Sequence, residues 1–396
     1  MKIVVGVTGS IAAYKAIDLV NQCRKLGHEV RVVMTAHATD FVQPLTFEAI
    51  AHTPVVSDLF APQTDALAHI NLAKWADVCI VAPADANMIA KMAHGLADDF
   101  LSTFILAFDG PVLVAPAMNT VMYRQQVTQD NLARLTTLGY EIVSPASGQL
   151  ACGDVGEGKL ASLDTLLFYL EKSVTAQTLA GFKLVVTAGP TVAPIDPVRF
   201  VTNHSSGKMG FALAREAALH GADVTLVAGR VQMETPVGVA RVDVATTEDM
   251  LQRLQQLMPA ADGLIMAAAP ADYVPAEYHE EKIKKAGDEL ILAFRKNPDI
   301  LKTLKPILED KIVVGFAAES HQLLENAAKK LKEKNLDFIV ANNIAGKNTA
   351  FRSDYNAATI IYKDGHQEVI PRQLKTELAD KILDEIQHIR CQKEER

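Results

Sequence analysis

The sequence predicts an α/β protein with two doubly wound, Rossmann-like domains and mainly parallel sheets. First, short runs rich in valine and isoleucine alternate with helix-length segments, as buried parallel strands alternate with their crossover helices. Second, a strand that ends in a glycine turn and opens an alanine-rich helix occurs twice, within residues 3–20 and 184–210. Third, a chain of 396 residues is long for one domain and sufficient for two.

Five strands are predicted in the first half of the chain, and a helix follows the first of them. In a covered parallel sheet, ligands bind beyond the carboxyl ends of the strands. We therefore expect a site around residues 8–11, Thr35, 83–87 and 116–119, where strands end. The predicted strands are residues 3–7, 29–34, 77–83, 111–116 and 140–145, and the predicted helix is residues 11–26.

The first glycine turn, Gly6-x-x-Gly9-Ser10-Ile11, spells neither the GxGxxG fingerprint nor a Walker A loop. It places a hydroxyl at a helix N-terminus, where backbone amides and the helix dipole favour a phosphate. A tight strand–helix connection without any ligand fits the same pattern. The turn alone therefore leaves a phosphate site and a plain connection as alternatives.

Three residues of the first half are candidates for chemistry. Asn119 follows a predicted strand, where its amide either binds a carboxylate or caps the next helix. Cys152 lies among four glycines between residues 148 and 158, and is either placed over a ligand or an ordinary exposed thiol. His69 lies on a predicted helix, where a lone histidine is more often structural than catalytic.

Composition excludes several classes of protein. With 47 acidic and 39 basic residues the formal charge is −8, whereas a general nucleic-acid surface is basic. No apolar run approaches the ~20 residues of a membrane span. The first residues enter a strand without a signal-peptide pattern, and the four cysteines form no CxxC pair. We expect a cytoplasmic protein that has neither a nucleic-acid nor a membrane partner.

Five motifs of the first half, in order, carry a family resemblance: GSIAAYK, HINLAKWAD, IAKMAHGLADDFLS, PAMNTVMY and GQLACGDVGEGKL. They resemble the phosphopantothenoylcysteine decarboxylases, and more widely the flavoproteins that decarboxylate a cysteine. The resemblance implies a flavodoxin-like domain over residues 1–178 that binds FMN. The FMN-binding residues it implies are Gly9, Ser10, Ile11, Thr35, Ala84 and Asn87.

The same resemblance implies the catalytic roles. His69 assists oxidation of the substrate thiol, Asn119 holds the departing carboxylate, and Cys152 protonates the enethiolate left after CO₂ loss. Oxidation to a thioaldehyde supplies the electron sink that a cysteine amide lacks. One position departs from the family, which carries Ser or Thr where this chain has Asp85. Because a carboxylate repels a phosphate, backbone amides would have to hold the FMN phosphate there.

The second half repeats the alternation after a polar segment at residues 172–181. A Walker A loop is absent, but Lys282, Lys284 and Lys285 form a loop cluster that indicates a phosphate in an acidic chain. Lys330 and Lys334 lie one turn apart on a helix predicted at residues 320–335, as a solvated pair or as part of a site. The predicted strands are residues 183–188, 222–228, 263–269, 311–317 and 336–341.

Six motifs of this half resemble the phosphopantothenate–cysteine ligases: TAGPTVAPIDPVRFVTNHSSGKMG, AAPADY, EKIKK, KNPDIL, VGFAAE and LDFIVANNI. Together, the two resemblances cover nearly the whole chain, in the order of the bifunctional enzymes of bacterial coenzyme A synthesis. They imply a ligase domain over residues 179–396 that uses CTP with Mg²⁺. An acyl-cytidylate forms first, and the amine of cysteine then displaces CMP.

The ligase resemblance also implies binding residues. Asn203 holds the carboxylate and the acyl-cytidylate, with Ser205, Ser206 and Gly207 beside it, while Lys282 neutralises phosphate charge. The implied CTP-binding residues are Met266, Ala267, Ala268, Asp272, Lys282, Pro298, Asp299, Ile300, Leu301, Phe316, Lys330 and Lys334.

Two other functions fit parts of the pattern. The paired glycine turns also fit a Rossmann-type oxidoreductase, and some relatives of the decarboxylases are non-catalytic flavoprotein regulators. Retention of both Asn119 and Cys152 favours the enzyme. Its expected partners are small molecules, namely 4′-phosphopantothenate, cysteine and CTP. The resemblance further implies a homo-oligomer of trimeric decarboxylase units and dimeric ligase units, which combine into a dodecamer.

Overall fold

The computed structural model describes residues 1–60, 67–149, 153–284, 290–319, 322–343 and 353–394. Cys152 and Lys285, both named above, lie outside these ranges. The chain divides into two compact units, Met1–Thr175 and Ala176–Arg396. Within the described ranges, no helix is both long enough and apolar enough to cross a membrane.

The first unit contains a five-stranded parallel sheet with the strand order β2-β1-β3-β4-β5. Its strands are β1 (Lys2–Val7), β2 (Glu29–Met34), β3 (Val78–Ala84), β4 (Val112–Pro116), β5 (Glu141–Ile142), β6 (Ala146–Gln149) and β7 (Val155–Lys159). Its helices are α1 (Ala13–Lys25), α2 (Ala36–Phe41), α3 (Pro44–Ala51), α4 (Ala68–Trp75), α5 (Ala86–His94), α6 (Phe100–Ala107), α7 (Thr120–Arg124), α8 (Gln126–Thr137) and α9 (Leu163–Val174).

The sheet of the first unit is buried on both faces, which explains its continuous apolar strands. Alternate residues of β1 point to opposite sides. Ile3 and Val5 pack in one core with α1, α3 and α9, whereas Val4 packs in a second core with α5, α6 and α8. The five strands predicted from the sequence are confirmed, while the antiparallel ribbon of β6 and β7 was not predicted.

The second unit contains an eight-stranded sheet and two separate pairs of short strands, β9 with β10 and β14 with β15. The strands of the unit are β8 (Lys183–Ala188), β9 (Ala193–Pro194), β10 (Phe200–Val201), β11 (Asp223–Ala228), β12 (Val239–Asp243), β13 (Gly263–Met266), β14 (Tyr273–Pro275), β15 (Phe294–Lys296), β16 (Ile312–Glu319), β17 (Phe338–Asn343), β18 (Tyr355–Tyr362) and β19 (Gln367–Leu374). Its helices are α10 (Lys208–Leu219), α11 (Thr247–Leu257), α12 (Ile300–Leu304), α13 (Leu323–Glu333) and α14 (Lys375–Glu394), with 3₁₀ turns at Met258–Ala260 and Lys305–Ile307.

The strand order of this sheet is β12-β11-β8-β13-β16-β17-β18-β19. The first six strands are parallel, and β18 runs antiparallel to both of its neighbours. The five predicted strands are confirmed, but β12 and the hairpin of β18 and β19 were not predicted. Asp364-Gly365 between two apolar runs is a signal that would have found the hairpin, and Gly365 adopts φ +92° in the turn.

Candidate active sites

The carboxyl ends of β1, β3 and β4 in the first unit are tied together by side-chain hydrogen bonds. The Thr8 hydroxyl donates to the Pro83 carbonyl over 2.9 Å and accepts from the Asp85 amide over 2.8 Å. The Ser10 hydroxyl donates to the Ala117 carbonyl over 3.1 Å. The glycine turn after β1 is therefore held in place by the ends of β3 and β4.

This turn has the features of a site for a phosphate or a polar chain. A Cβ added to Gly9 would lie 2.7 Å from the Cβ of His37, so only glycine fits between the turn and α2. The Thr35 hydroxyl, at the start of α2, is buried and has no hydrogen-bond partner among the described residues. Because an unpaired buried hydroxyl is costly, these residues fit a ligand that supplies the missing partner.

Asp85 serves as the N-cap of α5. Its Oδ1 accepts a hydrogen bond from the Met88 amide over 2.7 Å. A Ser or Thr at this position would cap the helix in the same way. Its Oδ2 lies 3.3 Å from the place where a Gly9 Cβ would be. The carboxylate therefore caps α5 and also places a negative charge beside the glycine turn.

The other predicted FMN-binding residues differ in exposure. Ala84 is fully buried, and its carbonyl accepts from the Ala117 amide over 3.0 Å, so its side chain has no open surface. Ile11 and Asn87 are exposed. His69 is half-buried in the first turn of α4.

Asn119 uses both ends of its amide. Its Oδ1 accepts from the Val121 amide over 2.8 Å and caps α7, as one of the two sequence alternatives expects. Its Nδ2 donates to Oδ2 of Asp154 over 2.9 Å. The Met118 amide donates to the Gly158 carbonyl, which anchors β7 beside this turn. The amide nitrogen of Asn119 is thus directed at a carboxylate, which here belongs to the protein itself.

The second unit has a cavity of about 470 Å³ toward the carboxyl ends of β8, β13, β16 and β17. All of the predicted ligase residues line this cavity except Lys282. The lining residues that were predicted are Asn203, Ser205, Ser206, Gly207, Met266, Ala267, Ala268, Asp272, Pro298, Asp299, Ile300, Leu301, Phe316, Lys330 and Lys334.

Buried threonines and Asn203 hold the cavity wall after β13. The Ala268 amide donates to the Thr187 hydroxyl over 3.1 Å, and the Ala271 amide donates to the Thr191 hydroxyl over 2.8 Å. Asn203 Nδ2 donates to the carbonyl of Ala269, and its Oδ1 accepts from the Ser205 amide over 3.0 Å. Asn203 therefore fixes the loop before α10 against the loop after β13.

Close backbone contacts bring the start of α10 to the end of β8. A Cβ on Gly210 would lie 2.5 Å from the Cβ of Ala188. Gly207, which precedes α10, adopts φ +79°, a conformation that favours glycine. A Cβ on Gly189 would lie 2.6 Å from Cγ1 of Val231, so protein atoms already fill the space at the turn directly after β8.

Lys330 and Lys334 both belong to the cavity wall rather than to a solvated face. The helix is shorter than predicted, because α13 ends at Glu333 and Lys334 is its C-cap. Lys334 forms an ion pair with Asp299 over 3.2 Å. Burial of Asp299 opposes ionisation, but Lys334 and the Lys302 amide outweigh it and hold the pKa of Asp299 below its usual value. Asp299 is therefore a fixed negative charge that orients Lys334.

Lys282 lies on an exposed loop and is not part of the cavity lining. The loop is anchored next to it, because the Ile283 amide donates to Oδ2 of Asp196 over 3.2 Å and Arg199 donates to the Ile283 carbonyl. Its contact with nucleotide phosphate stays a prediction from the family resemblance.

Several residues that line the same cavity were not predicted, among them Lys208, Asn342, Asn356 and Lys375, which come from α10, β17, β18 and α14. Lys208 and Lys375 are the first residues of α10 and α14. A lysine that follows the small residues Ser205-Ser206-Gly207 at a helix start is a signal that would have identified Lys208. Lys375 has no comparable local signal.

Comparison with known proteins assigns each half of the chain to a protein family. Residues 1–175 match the family described as Flavoprotein, and residues 179–389 match the DNA/pantothenate metabolism flavoprotein C-terminal domain. The coenzyme A biosynthesis bifunctional protein CoaBC of Haemophilus influenzae is 45% identical over 392 residues, which cover 97% of this chain and 96% of that protein. The chain belongs to the CoaBC family.

Other members of the CoaBC family are similarly related. The protein of Escherichia coli K12 is 44% identical over 391 residues, which cover 97% of this chain and 96% of that one. A crystal structure of the C-terminal domain of a CoaBC protein is 38% identical, covers 54% of this chain and 98% of that chain, and has a TM-score of 0.47. Family membership confirms the prediction of a bifunctional enzyme of coenzyme A biosynthesis with a flavoprotein half, and favours it over the oxidoreductase and the regulator.

Proposed function

We propose that the second unit condenses 4′-phosphopantothenate with cysteine at the expense of CTP, and that the first unit decarboxylates the product to 4′-phosphopantetheine with FMN. The observation that carries the proposal is that all but one of the predicted ligase residues line one and the same cavity. Full-length identity of about 45% to bifunctional relatives supports the pairing of the two activities in one chain.

In the ligase reaction, the substrate carboxylate attacks the α-phosphate of CTP and releases pyrophosphate. The amine of cysteine then attacks the acyl carbon, and CMP leaves. Asn203, Ser205 and Ser206 lie where amide and hydroxyl groups can orient the carboxylate. Lys330 and Lys334 place positive charge in the same cavity. No group of three or more metal-ligating side chains occurs within the described ranges, so we propose that Mg²⁺ is held mainly by the triphosphate.

In the decarboxylase, the backbone at Gly9 and the Thr35 hydroxyl fit the phosphate and polar chain of FMN. FMN, when bound, accepts two electrons from the substrate thiol and later returns them. The Asn119 nitrogen holds the substrate carboxylate in place of Asp154. His69 transfers a proton during oxidation of the thiol. Cys152, which lies outside the described residues, gives a proton to the enethiolate after CO₂ leaves.

The assembly and location of the protein are also proposals. The family resemblance supports trimeric decarboxylase units and dimeric ligase units, combined into a dodecamer. The domain limits of residues 1–178 and 179–396 and a cytoplasmic location stay predictions from the sequence.

The test is incubation of the purified chain with 4′-phosphopantothenate, cysteine, CTP and Mg²⁺, followed by mass analysis. We expect both CMP and 4′-phosphopantetheine. The variant Cys152→Ser should release CMP and accumulate no phosphopantetheine, because only the last protonation is lost. If CMP does not appear, the ligase assignment is wrong. If supplied phosphopantothenoylcysteine is not decarboxylated by the FMN-loaded protein, the decarboxylase assignment is wrong.

A further inference from the structure

One corner of the cavity in the second unit contains positive charge that the predicted residues do not account for. Lys208, Asn342, Asn356 and Lys375 line it, and we call it the α10–α14 corner. These residues come from four elements, namely α10, β17, β18 and α14. The two helices pack against each other and both begin at this corner.

The two lysines of the corner are held by the segment before β18. Lys208 Nζ lies 2.6 Å from Oδ1 of Asp354, a largely exposed carboxylate. Lys375 is 5% exposed and its ammonium donates to the Ser353 carbonyl, while its amide donates to the Asp354 carbonyl. The corner is therefore a built arrangement, in which a buried and a half-exposed ammonium group share the neighbourhood of one exposed carboxylate.

The charge of Lys375 is opposed by its surroundings in the corner. Burial, with the nearby charge of Lys208 adding to it, lowers the pKa of Lys375 to about 8, although Asp354 acts in the opposite direction. An anion bound nearby would raise the pKa of such a lysine, because an added negative charge favours the ammonium form. The N-termini of α10 and α14 contribute further positive potential, and Gly207, the N-cap of α10, has no side chain that could cap it.

A buried amide in the wall of the corner has an unpaired atom. Asn356 is 3% exposed, and its Nδ2 donates to Oδ1 of Asn342 over 3.1 Å. Its Oδ1 is buried and has no hydrogen-bond partner among the described residues. If both amides rotate by 180°, their mutual hydrogen bond is kept with the roles exchanged, and an N–H group faces the unpaired position. Such a group is costly unless a ligand meets it.

We propose that the α10–α14 corner binds a phosphate group of a ligase substrate, with Lys208, Lys375 and the Asn356 amide as its contacts. This proposal rests on the ligase function proposed above. Two sources offer the same chemistry: the terminal phosphomonoester of 4′-phosphopantothenate and the triphosphate of the nucleotide. Two ammonium groups beside two helix N-termini suit a multiply charged phosphate better than a single carboxylate.

The first experiment measures CMP release by the full chain and its variants Lys208→Gln and Lys375→Met. If the corner binds the phosphomonoester, the preference for 4′-phosphopantothenate over pantothenate, as a ratio of kcat/KM, falls at least tenfold, and KM for CTP is unchanged. If it binds the nucleotide, KM for CTP rises at least tenfold and the preference is unchanged. Lys381→Gln removes an exposed lysine from the same helix and should match the unmodified chain.

A second measurement does not need catalysis. Inorganic phosphate and pyrophosphate should raise the unfolding temperature of the unmodified chain and of Lys381→Gln more than that of Lys208→Gln or Lys375→Met. The corner is not a phosphate site if phosphate stabilises all four proteins equally, and if the substrate preference and the KM for CTP of both corner variants stay within twofold of the unmodified chain. An unmodified chain that releases no CMP, yet is stabilised by phosphate through these lysines, overturns the ligase function and leaves the corner supported.

Discussion

The two units of the protein begin with similar sequence patterns and use them differently. In the first unit, five residues separate β1 from α1, and Gly9 in the turn between them lies against His37 of α2. In the second, the segment from Gly189 to Gly207 separates β8 from α10 and carries the short hairpin of β9 and β10. There, protein atoms fill the turn, because Gly189 packs against Val231 and Gly229 packs against Pro190.

This difference shows that a strand–glycine–helix pattern predicts the fold more reliably than it predicts the ligand position. A short connection leaves the backbone of the turn available to a ligand. A long connection folds back on the turn, and the cavity of the second unit lies instead at the helix start and at residues that arrive from other strands. Four predictions test this comparison, in order of decreasing expected effect.

The largest effect is expected for Gly229→Ala, since Gly229 follows β11 and packs against Pro190 in the turn after β8. The added Cβ would lie 2.1 Å from the Pro190 carbonyl oxygen, so backbone must move. We expect the free energy of unfolding of the second unit to fall by about 3 kcal/mol and CMP release to be lost, while flavin binding is kept. Denaturant unfolding measures the loss of stability, and flavin absorbance measures the binding of flavin. Gly365→Ala, where nothing lies within 4 Å, is the control for backbone strain alone; equal losses in the two variants would refute the filled turn.

Gly9→Ala tests the open turn. Its Cβ would lie 2.7 Å from the Cβ of His37, so the turn or α2 must shift. We expect the Kd for FMN to rise roughly 50-fold, about 2.3 kcal/mol, with CMP release unchanged. Flavin fluorescence titration gives the Kd. Gly95→Ala, at the end of α5 with nothing within 4 Å, should leave the Kd unchanged. An unaltered Kd in Gly9→Ala would show that FMN does not use this turn.

Lys375→Met measures what burial of an ammonium group in the α10–α14 corner costs in folding stability. The turn after β1 in the first unit contains no lysine and does not carry this cost. The folded pKa of Lys375, about 8, is below the unfolded value of about 10.4. The unfolded chain therefore binds more protons between these pH values, and stability rises with pH across this window. We expect Lys375→Met to be more stable by about 2 kcal/mol at pH 7, and this advantage to vanish above about pH 10.4.

Urea unfolding of both proteins at pH 7 and at pH 10.5 measures this difference. Comparison of the two proteins cancels the other groups that titrate in the window. The charged groups beside Lys375 are Lys208, Asp354 and Glu377, and they are the same in both proteins. A stability difference that is independent of pH would contradict the burial of a charged Lys375.

The smallest effect is expected for Asp85→Ser at the open turn. The hydroxyl keeps the cap of α5 and removes a negative charge beside Gly9. We expect FMN to bind about fivefold more tightly, near 1 kcal/mol, with unchanged stability. Asp85→Ala removes the same charge together with the cap, so it should gain the same affinity and lose about 1 kcal/mol of stability. Weaker FMN binding by the serine variant would mean that the carboxylate does not face the phosphate.

The sequence predicted most of the fold because buried parallel strands have a strong local signal. It missed β6, β7, β12, β18, β19 and the very short strands β9, β10, β14 and β15, all of which are short or partly exposed. Family motifs, rather than spacing, identified the residues of the cavity. Lys208 and Lys375 were missed because they are far apart in the sequence and meet only through the reversal of β18. Likewise, no local pattern joins Asn119 to Asp154 or leaves the Thr35 hydroxyl unpaired.

The separation of Lys208 and Lys375 in the sequence determines when the α10–α14 corner is completed during synthesis. Lys208 leaves the ribosome early in the second unit, whereas Lys375 emerges only after all eight strands of the sheet. Because α14 packs on α10 and supplies the second ammonium group, a nascent chain released before α14 has an unfinished corner. A chain cut after Leu374 should therefore show no phosphate-dependent stabilisation, which a thermal unfolding measurement would detect. Completion of the corner thus depends on completion of the polypeptide through α14.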